Sequence, residues 1–295
     1  MNKFTERLND GKVMVADGAT GTNLQKSGLL SGMHTEDWIF DHPEQILDLE
    51  KAFVAAGADI ILTCTFGGTR LRLKNAKHGN EVVELNKRAA ELARQAASSQ
   101  PGVLVAGSMG PIGQLLKPFG PIAYDEAWSA YAEQAGALSE GGVDLLLLET
   151  HFAMEEANAA FEGARSVTEL PIVVSFSYDR GTRTMMGVKP AEVIKKYKAK
   201  GALLVGANCG TTLENMELII KEYAATETGF PLWAKPNAGM PHMVGSQTIY
   251  DVSPKLMAEY ALKYMESGAR VVGGCCGSTP DHVAAIAKAV KYKST

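Results

Sequence analysis

The chain has 295 residues, 46% of them hydrophobic and 21% charged, with a raised count of 30 glycines. Its 29 Lys and Arg against 33 Asp and Glu leave a net charge of −4, which argues against a nucleic-acid footprint and against attraction to an anionic membrane surface. No apolar run approaches the ~20 residues that span a bilayer. The first residues lack the apolar core of a secretory signal, and four cysteines in such a chain do not read as a disulfide framework. A reducing cytoplasm is the expected compartment.

Short β-branched or leucine-rich runs alternate with longer amphipathic segments along the whole chain. Strands are expected at 13–17, 59–65, 103–108, 144–149, 172–177, 203–208, 232–235 and 270–274. Helices are expected between and after them, at 43–56, 81–98, 125–140, 153–168, 190–200, 213–224, 254–267 and 280–290. Pro43, Pro190, Pro254 and Pro280 fall at or near first helical turns, where a missing N–H costs little. Gly57, Gly141, Gly142, Gly201 and Gly268 sit where helices stop. Strands that are apolar throughout predict a parallel sheet buried on both faces. Eight strand–helix pairs favour closure into a (β/α)₈ TIM barrel over an open doubly wound sheet. No linker or shift in composition divides the chain, so a single domain over residues 1–295 is expected.

In such a barrel the functional residues gather at the C-terminal ends of the strands. Those ends carry Asp17, Thr63 to Phe66 (including Thr65), Ser108 to Gly110, Glu149 to His151, Asn208 with Cys209, Pro236 with Asn237, and Cys275 with Cys276. Cys209 follows the sixth strand and the vicinal pair the eighth, so their thiols can reach one point above the ring. Successive strand residues point to opposite faces; Gly273, Gly274 and Gly277 supply the permissive backbone that turns both vicinal sulfurs inward. Three thiolates suit zinc and leave one position open, the mark of a catalytic site. A thiol arriving at that position loses its proton and becomes a nucleophile suited to attack on an activated methyl group.

Asp17 and Glu149 end apolar strands, and a carboxylate there needs a partner. A substrate ammonium serves, and so does a neighbouring Lys or Arg. The segments Asp17-Gly-Ala-Thr-Gly-Thr22 and Gly107-Ser-Met-Gly-Pro-Ile-Gly113 match no phosphate-loop pattern, and are read as bringing backbone N–H groups to a small carboxylate. Cys64 reads as packing near the pocket. The histidines show no metal-binding spacing, and His151 is the one at a strand end.

Together these residues resemble the homocysteine S-methyltransferase family. The resemblance runs through Asp17-Gly-Ala-Thr-Gly-Thr22, Thr63-Cys-Thr-Phe-Gly-Gly-Thr-Arg70, Gly110-Pro111, Leu148-Glu-Thr150, Gly206-Ala-Asn-Cys209, Lys235-Pro-Asn-Ala-Gly239 and Gly273-Gly-Cys-Cys-Gly277. It implies one zinc ion on Cys209, Cys275 and Cys276, with homocysteine as fourth ligand through its thiolate. It assigns Glu149 and Asp17 to the substrate amino group, and places Asn237 near the zinc or the substrate. The Thr-Phe-Gly-Gly-Thr-Arg and Pro-Asn-Ala-Gly segments are most similar to the homocysteine-binding module of cobalamin-dependent methionine synthase, although Cys64 replaces the Asn usual there. The chain has no D-x-H-x-x-G corrinoid signature, so methylcobalamin is expected on a separate protein. Other relatives use S-methylmethionine, S-adenosylmethionine or betaine, and a selenol can replace homocysteine as acceptor. The competing expectation is a non-catalytic zinc barrel that serves as a partner subunit.

Overall fold

Alternation along each apolar run decides which side chains fill the ring and which face the helices. The computed structural model describes residues 2–30, 32–245 and 247–293. Its strands are β1 (Met14–Val15), β2 (Ile60–Leu62), β3 (Leu104–Met109), β4 (Leu145–His151), β5 (Ile172–Phe176), β6 (Leu204–Asn208), β7 (Leu232–Lys235), β8 (His242–Val244), β9 (Gln247–Ile249) and β10 (Ala269–Val272). Eight of them form one parallel sheet in the order β1-β10-β7-β6-β5-β4-β3-β2, while β8 and β9 make a separate antiparallel hairpin. The eight staves are those expected from the sequence, and the architecture is a (β/α)₈ barrel.

The ring closes through a single parallel bridge, Ala16 to Ile60. Asp59 N–H donates to the Val15 carbonyl at 2.7 Å, and Asp17 N–H to the Ile60 carbonyl at 2.9 Å. Two carboxylates reinforce this seam. Asp59 Oδ2 accepts the Val15 N–H at 2.9 Å, and Asp17 Oδ2 accepts the Leu62 N–H at 2.7 Å.

Inside the ring pack Met14, Ile60, Leu104, Leu145, Val173 and Trp233, all at most 2% exposed. Their strand neighbours Val15, Ile61, Val105, Leu146 and Val174 face outward into the layer between barrel and helices. Fully burying each such side chain contributes about 1.5–3 kcal/mol. The base is plugged by an N-terminal helix, Lys3–Asn9, not anticipated from the sequence. Its Phe4 enters the inner cluster, and the Asn2 side chain caps it by accepting the Phe4 N–H at 2.8 Å.

The outer helices start where the prolines indicated, at Pro43, Pro190, Pro254 and Pro280. Gly57, Gly142, Gly201 and Gly268 take left-handed φ at the helix ends, whereas Gly141 stays right-handed as a C-cap. No described helix is long and apolar enough to cross a membrane.

Candidate metal centre and substrate pocket

The end of β7 is the template on which the cysteines are mounted. The Lys235 carbonyl accepts the Cys209 N–H at 3.1 Å and the Pro236 carbonyl accepts the Cys275 N–H at 2.7 Å. The Ala238 N–H donates to the Cys276 carbonyl at 2.9 Å. One four-residue stretch therefore fixes all three thiol-bearing residues through backbone alone. Gly277 follows with φ at +81°, and a Cβ there would lie 2.2 Å from the Tyr250 ring, which packs directly on that turn.

The result is a compact sulfur cluster. Cys209 Sγ and Cys276 Sγ are 3.8 Å apart, and all three sulfurs lie within 4.8 Å of one another. Sulfurs ~2.3 Å from a tetrahedral zinc are spaced about 3.8 Å apart, so the trio fits that ion. The three thiols hydrogen-bond to one another. Hydrogen bonds with Cys275 and Cys276, together with burial, push Cys209 well above the ordinary thiol range. Hydrogen bonds from Cys209 and Cys275 hold Cys276 down, at about 3.

Asn208, the last residue of β6, ties this cluster to the end of β4. Its Oδ1 accepts the Thr150 N–H at 2.9 Å and the Ser175 hydroxyl at 2.6 Å. Its Nδ2 donates to Thr150 Oγ1 at 2.7 Å and reaches Glu149 Oε2 at 3.5 Å and Cys275 Sγ at 3.9 Å. Thr150 (φ 63°) and Cys209 (φ 56°) are the two non-glycine residues with positive φ among those described. Such backbone costs ~1–3 kcal/mol per residue and persists where surrounding structure over-determines it.

Cys209, Cys275, Cys276, Glu149, Ser108 and Phe66 share one cavity of about 460 Å³. Glu149 is buried, and Ser108 Oγ donates to its Oε1. Burial raises the Glu149 carboxyl to about 7; Lys235 pulls it down and Cys275 pushes it further up. The first glycine-rich turn, Gly18 to Thr22, also lines this cavity, as does Cys64, whose buried thiol is pushed well above its usual range by desolvation.

Three other expected site residues are buried and absent from the cavity lining. Thr65 Oγ1 pairs with Thr63 Oγ1 at 2.6 Å and donates to the Ser108 carbonyl at 2.8 Å, bracing β3. Asn237 sits between the two residues that hold Cys275 and Cys276, and its Oδ1 has no hydrogen-bond partner. Asp17 Oδ1 is 2.6 Å from Lys235 Nζ, with both side chains 2% exposed. Burial pushes the Asp17 carboxyl up while Lys235 and Leu62 pull it back. Desolvation also works against the Lys235 ammonium, but Asp17, Glu149 and Cys275 hold it above its ordinary value. With two donors on the carboxylate, the contact is an ion pair. His151 is fully buried between Tyr131 and Phe176, at ring separations of 6.0 and 6.5 Å, and desolvation lowers it to about 3. It is a neutral core residue away from the cavity.

Lys235, Thr150 and Tyr250 belong to the site without having been expected there. For Lys235 a signal existed, since a lysine closing an apolar strand must find a counter-charge.

The homocysteine S-methyltransferase family model matches residues 14–290. The chain belongs to this family. Among solved structures it is similar to the Escherichia coli homocysteine methyltransferase MmuM. In the metallated form the identity is 23%, covering 97% of this chain and 99% of that one, with a TM-score of 0.82. The apo form gives 24%, 98%, 100% and 0.77. A methyltransferase from Methanosarcina mazei is 13% identical over 99% of this chain and 98% of that one, with a TM-score of 0.63. At these identities the structural likenesses establish the barrel; family membership makes the chain a methyltransferase.

Proposed function

We propose that this methyltransferase is zinc-dependent and transfers a methyl group to the thiolate of homocysteine, giving methionine. One observation carries the reading: three sulfurs within 4.8 Å of one another open onto a cavity that also presents a buried carboxylate. Cys209, Cys275 and Cys276 would hold the ion. When bound, zinc supplies the acidity that deprotonates an incoming thiol at neutral pH.

The remaining work belongs to the chain. Glu149, oriented by Ser108, receives the substrate ammonium, and Asp17 acts behind the wall by holding Lys235. Backbone N–H groups of the Gly18 to Thr22 turn are suited to the substrate carboxylate. Burial excludes water from the attacking sulfur and fixes its direction.

For the methyl donor we favour a methylcorrinoid carried by a separate protein. Leu30, Met33, Phe119, Met185, Met240 and Met243 are all well exposed on the segments that follow β1, β3, β5 and β7, Met243 within the β8–β9 hairpin, on the side of the barrel that bears the pocket. Met33 also lines the pocket. An adaptable, methionine-rich apolar rim suits a docking protein better than a diffusing small donor. The family also includes S-methylmethionine and S-adenosylmethionine users, and these are the second reading. A cytoplasmic setting suits three reduced thiols.

The test is a donor panel with zinc-loaded protein and homocysteine: a methylated corrinoid protein, methylcobalamin, S-methylmethionine, S-adenosylmethionine and betaine. Turnover with the corrinoid donors supports the first reading, and turnover with a sulfonium compound alone replaces it. A zinc coordination shell that gains no sulfur when homocysteine is added, by X-ray absorption, would leave a non-catalytic barrel.

A further inference from the structure

Lys235 is the one fully buried lysine or arginine among the described residues. It closes β7 in register with Asn208, the residue before Cys209, and its own carbonyl anchors Cys209. Lys235 lines the cavity together with Glu149 and Cys275, and Asp17 Oδ1 accepts one of its ammonium's three N–H bonds. A buried lysine is costly unless its charge is answered. Asp17 alone would answer it, yet the pair stands at the pocket and beside the sulfur cluster.

The charge balance of the site explains the placement. A zinc ion with three thiolates carries one net negative charge, and a substrate thiolate makes it two. Glu149 adds a further carboxylate within the same cavity. Accumulating anions away from water is unfavourable unless a cation is fixed nearby. Two cations line the cavity among the described residues; Arg72 is turned to the Phe66 ring and the Pro111 carbonyl, whereas Lys235 is the one that acts on Glu149 and Cys275.

We infer that Lys235 is a positioning residue whose ammonium offsets the negative charge that homocysteine adds when its thiolate joins the metal centre. The inference rests on the zinc and homocysteine reading proposed above. It separates Lys235 from groups that recognise the amino-acid head, because those serve a thiol and a thioether ligand alike. Methionine has the same ammonium and carboxylate as homocysteine but brings no thiolate, so it does not call on Lys235 in this way.

The experiment compares zinc-loaded wild type, Lys235→Met, and the double variant Asp17→Asn with Lys235→Met. Zinc content is measured by atomic emission, and homocysteine and methionine affinities by calorimetry. The double variant removes the ion pair without stranding a buried carboxylate, so it decides the matter if Lys235→Met fails to fold. The expected result is retained zinc, homocysteine affinity weakened about 10- to 100-fold in the double variant, and methionine affinity nearly unchanged. Equal losses for both ligands would make Lys235 a purely structural or head-group residue and overturn the proposal. Unchanged homocysteine affinity would overturn it too. Wild-type zinc protein that binds no homocysteine at all would remove the underlying function, and this inference with it.

Discussion

Asn208 and Thr150 are joined by two hydrogen bonds in opposite directions: Thr150 N–H to Asn208 Oδ1 at 2.9 Å, and Asn208 Nδ2 to Thr150 Oγ1 at 2.7 Å. This clamp spans β6 and β4 and lies next to both left-handed residues, Thr150 and Cys209. It accounts for how Cys209 is held in a conformation its side chain disfavours.

Asn208→Ala leaves the Thr150 N–H and the Ser175 hydroxyl without their acceptor. We expect a stability loss of about 1–3 kcal/mol in urea denaturation, and zinc affinity lower by about 10- to 100-fold in competition with a chelator. Undiminished zinc affinity would mean that the β7 template positions Cys209 without the clamp.

Cys276→Ala should lose zinc and keep the barrel. The backbone bonds that seat this loop run to Pro236 and Ala238 and involve no sulfur, so a cooperative thermal transition by circular dichroism is expected to persist. Global unfolding of that variant would identify the metal as structural.

Glu149→Gln should weaken homocysteine binding at constant zinc content, since the amide cannot pair with an ammonium. The wild-type carboxyl is raised to about 7 by burial, from an unperturbed 4.5. The native state therefore holds its proton longer than the unfolded chain does, so this group's contribution to stability falls as pH rises from 4.5 to about 7. Ammonium recognition runs the other way, strengthening as Glu149 ionises. Methionine affinity, free of thiol titration, should increase through pH 7 in the wild type and stay flat in the Gln variant. A matching pH profile in both would release Glu149 from this role.

Gly277→Ala faces two penalties: a φ of +81° and a Cβ 2.2 Å from the Tyr250 ring. The backbone alone should cost about 1–3 kcal/mol. Adding Tyr250→Ala relieves the overlap and leaves the φ cost, so the double variant should be less destabilised than the two separate losses added together. Strict additivity in denaturant unfolding would mean that the ring does not press on this turn.

The staves were legible because each is apolar on both faces, a property that local sequence carries in full. Their ends were less so. The run at 13–17 forms only Met14–Val15 plus a bridge at Ala16, because the Asp17 carboxylate takes over the next hydrogen bond. β4 runs past the expected Glu149 to His151, through a register irregularity. The Lys3–Asn9 helix and the β8–β9 hairpin were missed: one is too short to show a period, and the other is an exposed pair off the barrel. At the site, the cysteines stood out through their glycine setting and strand-end positions. Lys235 did not, because its partner Asp17 is 218 residues away and meets it only across the closed ring. The same holds for the reach of Asn208 to Thr150, over 58 residues.

The seam between β1 and β2 gives that distance a use. Where the ring has a single bridge, Asp17 Oδ2 takes the Leu62 N–H while its other oxygen holds Lys235. The least-bonded joint of the barrel and the charge of the pocket thus share one carboxylate. Amide hydrogen exchange at Leu62, whose N–H the carboxylate accepts, is therefore expected to respond to that charge from within the backbone. It is a readout that needs neither metal nor substrate, and it would sense ligand arrival as a slowing of the seam.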